Sequence, residues 1–434
     1  MANLPLEGIR VLDLTMVWAG PFCTKLLADM GAEVIKIEGP SNIDVIRGAG
    51  IDFFMKRAPA GERPYNKSSY FNEYNRNKLG ISLDLGHPKG RELFLRLVKI
   101  GDVVTENLRP DVMGKLGLEY EALREVKPDI IMVSMPAYSK TGPERDQIGY
   151  GPTIEQMAGL ASLNGYPDGP TQKTGISYGD PVAGAVAAAA VIAALIYRRR
   201  TGKGQAIEVS QRDVLTGVIG EAIMEWGMNR RLMPRLGNRH PWMAPHGCYS
   251  CKPLPEEEGR PLAVVYSAGR PKATDRWITI AVASDEEWQA LCDAMGRPEL
   301  AADARFADSL SRSRHQDELD EIITSWTSQK SDYELLHLLQ GNGVPSGAVL
   351  SALGVARDPH VAARGFLETV QHPEMGPSVY TTPTWRLRER PTHVRRPAPC
   401  FAEHNRYVFH DLLGLSDDEV RELEQEKVTS AAPV

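Results

Sequence analysis

Asp180 stands in the stretch YGDPVAG, between a glycine and a proline, at the head of an alanine-rich run that carries no further charge until Arg198. A carboxylate in that setting can do one of two things. It can accept backbone N–H groups as a helix N-cap, with Pro181 well suited to the first turn. It can also attack an activated acyl carbon and become acylated. The positive end of a helix would keep it ionised near neutral pH, and a chargeless helix would bury well and hold it still. The two roles are compatible. Thiol or metal chemistry has less to work with. Cys23, Cys248, Cys251, Cys292 and Cys400 are scattered, and the one C-x-x-C, Cys248 with Cys251, has no second pair or His pair at zinc spacing. No metal site is expected.

The elements that must position Asp180 are read from periodicity. Residues 9–15 (IRVLDLT) predict a buried strand, residues 20–31 a helix with Pro21 in its first turn and Gly31 at its end, and residues 32–38 (AEVIKIE) a second strand. Strand, helix and strand with short joints make a βαβ unit, so the opening sheet should be parallel. Strands are expected again at residues 81–85, 102–108 and 128–138, with an amphipathic helix (PKGRELFLRLVKIG) between the first two. The fold class is α/β, a Rossmann-like large domain with a parallel sheet. G-x-G-x-x-G is missing after the first strand, which disfavours a dinucleotide-binding enzyme.

Beyond about Glu225 the texture turns to Pro, Arg and Gly, and reads as an irregular linker leading to a smaller α+β domain. That domain opens with a strand and helix over residues 276–296, and residues 328–351 give a helix, a Gly turn and a short strand. The expected division is residues 1–224 as large domain, 225–330 as linker and small domain, and 331–434 as the return completing the large domain. A chain of 434 residues with 42% hydrophobic and 24% charged residues suits a multidomain globular protein. A net charge of −6 argues against a general nucleic-acid binder. The longest apolar run, residues 182–196, is short for a bilayer span. No signal peptide pattern opens the sequence, so a cytoplasmic protein without membrane partners is expected.

Five stretches together resemble one family. LPLEGIRVLDLTMVWAGPFCTKLLADMGAEVIKIEGP, NEYNRNKLGISLDL, VVTENLRPDVMGKLGL, SYGDPVAG and RRRTGKGQAIEVS look like the class III CoA-transferases, the CaiB/BaiF family, in the same order. The likeness is dense over residues 4–210 and continues more loosely through DEEWQALCDAMGRPEL and NGVPSGAVLS. It implies a ring-shaped chain interlocked with a second copy in a homodimer, or a heteromer with a paralogous subunit. It implies CoA transfer from an acyl-CoA to a carboxylic acid, with Asp180 as nucleophile passing through an aspartyl anhydride and an aspartyl-CoA thioester. No prosthetic group is implied; coenzyme A enters as substrate.

By the family pattern Val17 and Trp18 lie along CoA near the reacting centre, and Asn75, Lys78, Asn107 and Leu108 line it. Lys115 stands where the family often places an Arg that meets the adenosine phosphates. From the residues alone, Lys78 and Lys115 read as solvated surface. Tyr150, Glu155 and Gln156 fall in a segment beside the reacting acyl group, with helix surface an equal reading for the last two. Arg239, near His240 and His246, is a candidate for a distal carboxylate. Two departures stand out. Gly39 replaces an Arg found in many relatives, for which Arg47 or Arg76 would compensate, and residues 253–275 lack the glycine run that covers the site in some relatives. The acids exchanged are expected to be a dicarboxylate such as succinate, or an aryl-substituted acid. The nearest rivals are a 2-methylacyl-CoA racemase and a non-catalytic CoA-binding subunit. Racemisation needs a second proton carrier, usually a His, where this chain has Gly149, Tyr150 and Gly151.

Overall fold

Six short apolar strands form one parallel sheet in the order β3-β2-β1-β4-β5-β6. They are β1 (Arg10–Asp13), β2 (Glu33–Glu38), β3 (Leu79–Ser82), β4 (Val103–Glu106), β5 (Ile131–Ser134) and β6 (Gln205–Glu208). This computed structural model describes residues 4–48, 62–253, 275–389 and 392–434. The first five strands are buried on both faces, as a parallel sheet requires, and β6 at the edge is partly exposed. In β1, Val11 points into one core and Leu12 into the other.

Helices α1 (Ala19–Asp29), α2 (Ser69–Asn75), α3 (Pro88–Ile100), α4 (Gly151–Met157) and α5 (Gly179–Thr201) are added along the chain, followed by α6 (Gln211–Val218) and α7 (Gly220–Asn229). One core joins α1 to α5 through Ala19, Cys23, Leu27, Ala183, Ala187 and Val191. The other joins Phe94, Leu97 and Val98 of α3 to Val408, Phe409 and Val428 from the end of the chain. That C-terminal segment also covers the free edge of β3: His404 N–H donates to Gly80 O and Thr429 Oγ1 to Ser82 O. An edge strand so covered cannot template pairing with another chain.

The alanine run forms a longer helix than the apolar run alone suggests. α5 spans 23 residues and would suffice by length and composition to cross a membrane. Here its small residues serve close packing: a Cβ on Gly184 would lie 2.5 Å from Ala19 O. The helix ends at Gly202, whose φ of +73° is left-handed, a conformation glycine adopts without steric cost.

The sheet unit comprises Met1–Ser162, Gln172–Met233 and Pro359–Val434; a second unit comprises Leu163–Thr171 and Pro234–Asp358. The second is α+β, with an antiparallel sheet of β7 (His246–Ser250), β8 (Trp277–Ala281) and β9 (Ser346–Ala348). β7 falls in the stretch expected to be an irregular linker. Its sequence, HGCYS, has no alternating pattern, and pairing with β8 makes it a strand. The sequence expectation also put residues 331–358 in the return to the large domain. Leu335, Leu339 and Val344 instead share the second core with Trp288, Phe306 and Ile323.

Candidate active site

The strand order reverses between β1 and β4, so the chains leaving their C-terminal ends diverge and open a crevice. A cavity of about 540 Å³ lies there, walled by Met16, Val17 and Trp18 after β1, Asn107 and Leu108 after β4, Gly149–Gly151 with Ser177, and Asp180. Asn107 bridges the crevice, its Oδ1 accepting from Met16 N–H and its Nδ2 donating to Met16 O, both at 2.8 Å.

Buried charges shape the loop after β1. Lys36 donates to Thr15 O at 2.7 Å, and Asp44 accepts from Val17 N–H at 3.0 Å. Lys36 and Asp44 are themselves ion-paired at 3.0 Å, both fully buried. Between these tethers Val17 takes a φ of +69°, rare for a β-branched residue and tolerated only where the surroundings over-determine it. A second pair lies beneath. Asp13 accepts from Thr15 N–H, Thr24 Oγ1 and Lys78 Nζ. Burial works hardest against its ionisation, yet Lys78, Lys36 and the two threonines together hold the Asp13 carboxyl below its usual range. Burial pulls Lys78 down to about 8 against the opposing attraction of Asp13.

Asp180 sits in the first turn of α5, one residue inside the start, and Tyr178 is the cap residue. The N-cap role is therefore not the one it takes. Its carboxyl is 8% exposed and accepts from Ala19 N–H at the head of α1. Burial, then the nearby Glu155 charge, push its pKa up to about 7, and the Ala19 bond opposes them only in part. The expectation that the helix end would keep this acid firmly ionised is thus corrected: loss of water outweighs the dipole. The space it occupies depends on Gly151, where a Cβ would overlap Asp180 Oδ2 and Ser177 Cβ.

The remaining residues named from sequence divide into three groups. Val17, Trp18, Asn107, Leu108 and Tyr150 join Asp180 on the cavity wall. Asn75 and Lys78 lie beneath it, fully buried. Lys78 is surrounded by Asp13 Oδ2, Pro21 O, Thr24 Oγ1 and Asn75 Oδ1 at 2.7–3.1 Å, which occupies all its protons. The solvated-surface reading of Lys78 is overturned, and the network makes it a support for α1. Lys115 is 74% exposed and paired with Asp111, away from the wall residues. Gln156 is exposed, whereas Glu155 is fully buried behind the wall. Arg239 belongs to the second unit, where it pairs with Asp317 and Asp320.

Arg47 is held by Glu38 at 2.8 Å and Arg76 by Asp29 at 2.7 Å, both buried, so each is already committed to a carboxylate. The comparison with the glycine-run lid, residues 253–275, falls almost wholly outside the described residues.

Sequence reasoning missed Tyr70, Arg109 and Arg145, which also line the cavity. Tyr70 packs edge-on to Trp18 with centroids 5.6 Å apart, and Tyr74 lies 5.2 Å beyond, so an aromatic wall faces Asp180. The Asp180 charge helps raise both phenols, though burial is the larger cause. Arg109 follows Asn107 and Leu108 directly and was within reach of motif reading. Arg145 lies in an exposed loop with no periodic signal.

The chain matches CoA-transferase family III over residues 6–254 and 254–405. It is 35% identical over 424 residues to the succinyl-CoA–D-citramalate CoA-transferase of Chloroflexus aurantiacus, covering 98% of each chain. It is 34% identical over 410 residues to the succinate–glutarate CoA-transferase of Agrobacterium fabrum, covering 94% of this chain and 96% of that one. The beta subunit of the succinyl-CoA–L-malate CoA-transferase of Chloroflexus aurantiacus is 30% identical over 429 residues, with 98% of each chain covered. Among solved structures, a CaiB/BaiF family protein from Brucella suis superposes with a TM-score of 0.81 at 31% identity, covering 95% of this chain and 100% of that chain. These matches run nearly end to end: the chain belongs to CoA-transferase family III and is a CoA-transferase.

Proposed function

We propose that the protein moves CoA from succinyl-CoA to a second dicarboxylic acid, with Asp180 as the covalent relay. The observation that carries this is one buried carboxylate on the wall of the switch-point cavity, touched by the Ala19 N–H. An Asp180 oxygen attacks the thioester carbonyl, the C–S bond breaks, and a mixed anhydride and CoA thiolate form. The thiolate attacks the aspartyl carbonyl, expelling the donor carboxylate and leaving an aspartyl-CoA thioester. The acceptor carboxylate attacks that thioester, again freeing thiolate and forming a second anhydride. The thiolate takes the acceptor acyl carbon, and Asp180 returns as a carboxylate. Each step is an ordinary acyl transfer, which is the gain from covalent catalysis.

Val17, Trp18, Asn107 and Leu108 fit the place of the pantetheine arm, and the Ala19 N–H can stabilise charge that develops on the relay. Arg109 and Arg145 supply positive charge for CoA phosphates or for a distal carboxylate. The dicarboxylate class is supported by the relatives, named for citramalate, glutarate and malate. Among the described residues no histidine lines the cavity, which tells against the racemase. A second copy of the chain as partner is supported by α7, which buries no residue and exposes Met224, Trp226 and Met228.

The testing variant is Asp180→Ala. It should retain binding of succinyl-CoA and lose transfer to glutarate or citramalate by at least about 10⁴-fold. Turnover near the wild-type rate would remove Asp180 from the chemistry.

A further inference from the structure

We infer that Glu155 is a positioning residue for Asp180, acting through the segment that leads into α5 and through its own buried charge rather than by touching substrate. The inference rests on Asp180 being the nucleophile. Glu155 projects from α4, is fully buried, and is not among the cavity-lining residues. Its Oε1 accepts from Tyr178 N–H at 2.6 Å, and its Oε2 from Thr174 N–H at 3.2 Å. The Thr174 hydroxyl lies 2.9 Å and 3.0 Å from the two oxygens. One carboxylate therefore grips both ends of residues 174–178, the segment that sets where α5 begins and where its first-turn acid points.

Stability alone does not account for an acid at this place. Among the described residues no Lys, Arg or His is ion-paired with Glu155 or with Asp180. A buried charge without a counter-ion is costly even when N–H groups solvate it. What its charge meets is Asp180. The other groups facing Asp180 are the Tyr70 and Tyr74 phenols of α2 and the Ala19 N–H of α1. Of these neighbours Glu155 is the one whose charge pushes the Asp180 pKa up. A carboxylate deprived of water and set beside a like charge is poorly stabilised in its resting state and correspondingly ready to share its electrons with an acyl carbon. The same geometry keeps it from moving away.

Two variants separate the clamp from the charge, with kcat/KM measured against pH for succinyl-CoA and glutarate. Wild type should show an acid limb near pH 7, where Asp180 titrates. In Glu155→Gln the plateau should fall and the limb should move to lower pH. At pH 6 that variant should keep a share of its plateau at least about threefold larger than wild type keeps. In Glu155→Asp the charge remains but the arm is too short to reach both N–H groups, so the plateau should fall with the limb unmoved. A Gln variant whose rate drops equally at every pH would overturn the charge role, and an Asp variant with a wild-type plateau would overturn the clamp. The Asp variant stands on its own should the Gln variant fail to fold. Hydroxylamine trapping of wild type with succinyl-CoA, run alongside, should convert Asp180 to its hydroxamate. Absence of that adduct overturns the nucleophile itself, whereas its presence with an unmoved Gln limb overturns only the role given to Glu155.

Discussion

Asp180 and Gly151 compete for one small volume, since a Cβ on Gly151 would overlap Asp180 Oδ2. Adding a methyl in Gly151→Ala must displace the Asp180 carboxyl and the Ser177 side chain. Misplacing a reacting group by an ångström costs about 10²-fold, so kcat should fall by roughly that factor while CoA thioester binding holds; steady-state kinetics separate the two. The raised pKa of Asp180 has a consequence for stability. A folded value near 7 against an ordinary 3.8 means the native state binds the proton more tightly. The stability this gives is present below about pH 3.8 and is lost as the pH rises through 7. Asp180→Asn should therefore be more stable than wild type at pH 8, by on the order of 1–3 kcal/mol, in denaturant unfolding. The advantage should shrink as the pH falls towards 5. The nucleophile reading of Asp180 rested on the family resemblance, but its place at the start of a helix was legible from its setting between glycine and proline. Its protonation was not, because burial and the approach of Glu155 arise from helices 25 residues apart in sequence.

At the scale of elements, the loop after β1 is held by charges that look like surface residues in one dimension. Lys36 and Lys78 lie in β2 and just before β3, where a lone lysine among apolar neighbours gives no sign of its partner. Asp44 and Asp13 become those partners only once the sheet order is known. The βαβ pattern, by contrast, was readable for the first five strands, since apolar strands and capped helices follow local rules, but not for the half-exposed β6. β7 was not, because its strand character comes from its neighbour. The Lys36–Asp44 pair bears on function through Thr15 O and Val17 N–H. Asp44→Asn leaves Lys36 buried without its counter-ion, and should cost about 3–5 kcal/mol in chemical denaturation. It should also raise KM for the CoA thioester, because the single amide oxygen of Asn must serve either Lys36 or the Val17 N–H, where the carboxylate holds both.

For the whole molecule, the core on one face of the large sheet is closed by the chain's own C-terminal residues, and the core on the other face by α1 and α5. The exposed apolar surface lies elsewhere. α7 carries Ile223, Met224, Trp226 and Met228 outward and exposed, with the Arg230 guanidinium 4.7 Å over the Trp226 ring, an arrangement that marks an interaction surface. In the proposed dimer, Met224→Glu combined with Trp226→Ser should shift the assembly to monomer or aggregate in light scattering at micromolar concentration, with loss of transferase activity. A dimer of unchanged size and activity would show that this face is not the contact. Where the chain crosses between units was not legible, since composition shifts mark linkers poorly when the linker residues themselves pair into a sheet.

The most direct test of the relay follows oxygen. With succinyl-CoA as donor and glutarate carrying ¹⁸O in both carboxylates as acceptor, the second anhydride leaves one acceptor oxygen on Asp180 in each turnover. Mass spectrometry of the peptide containing Asp180 should show a gain of one ¹⁸O, then two as turnovers accumulate. Continued formation of glutaryl-CoA with no heavy oxygen in that peptide would contradict the account.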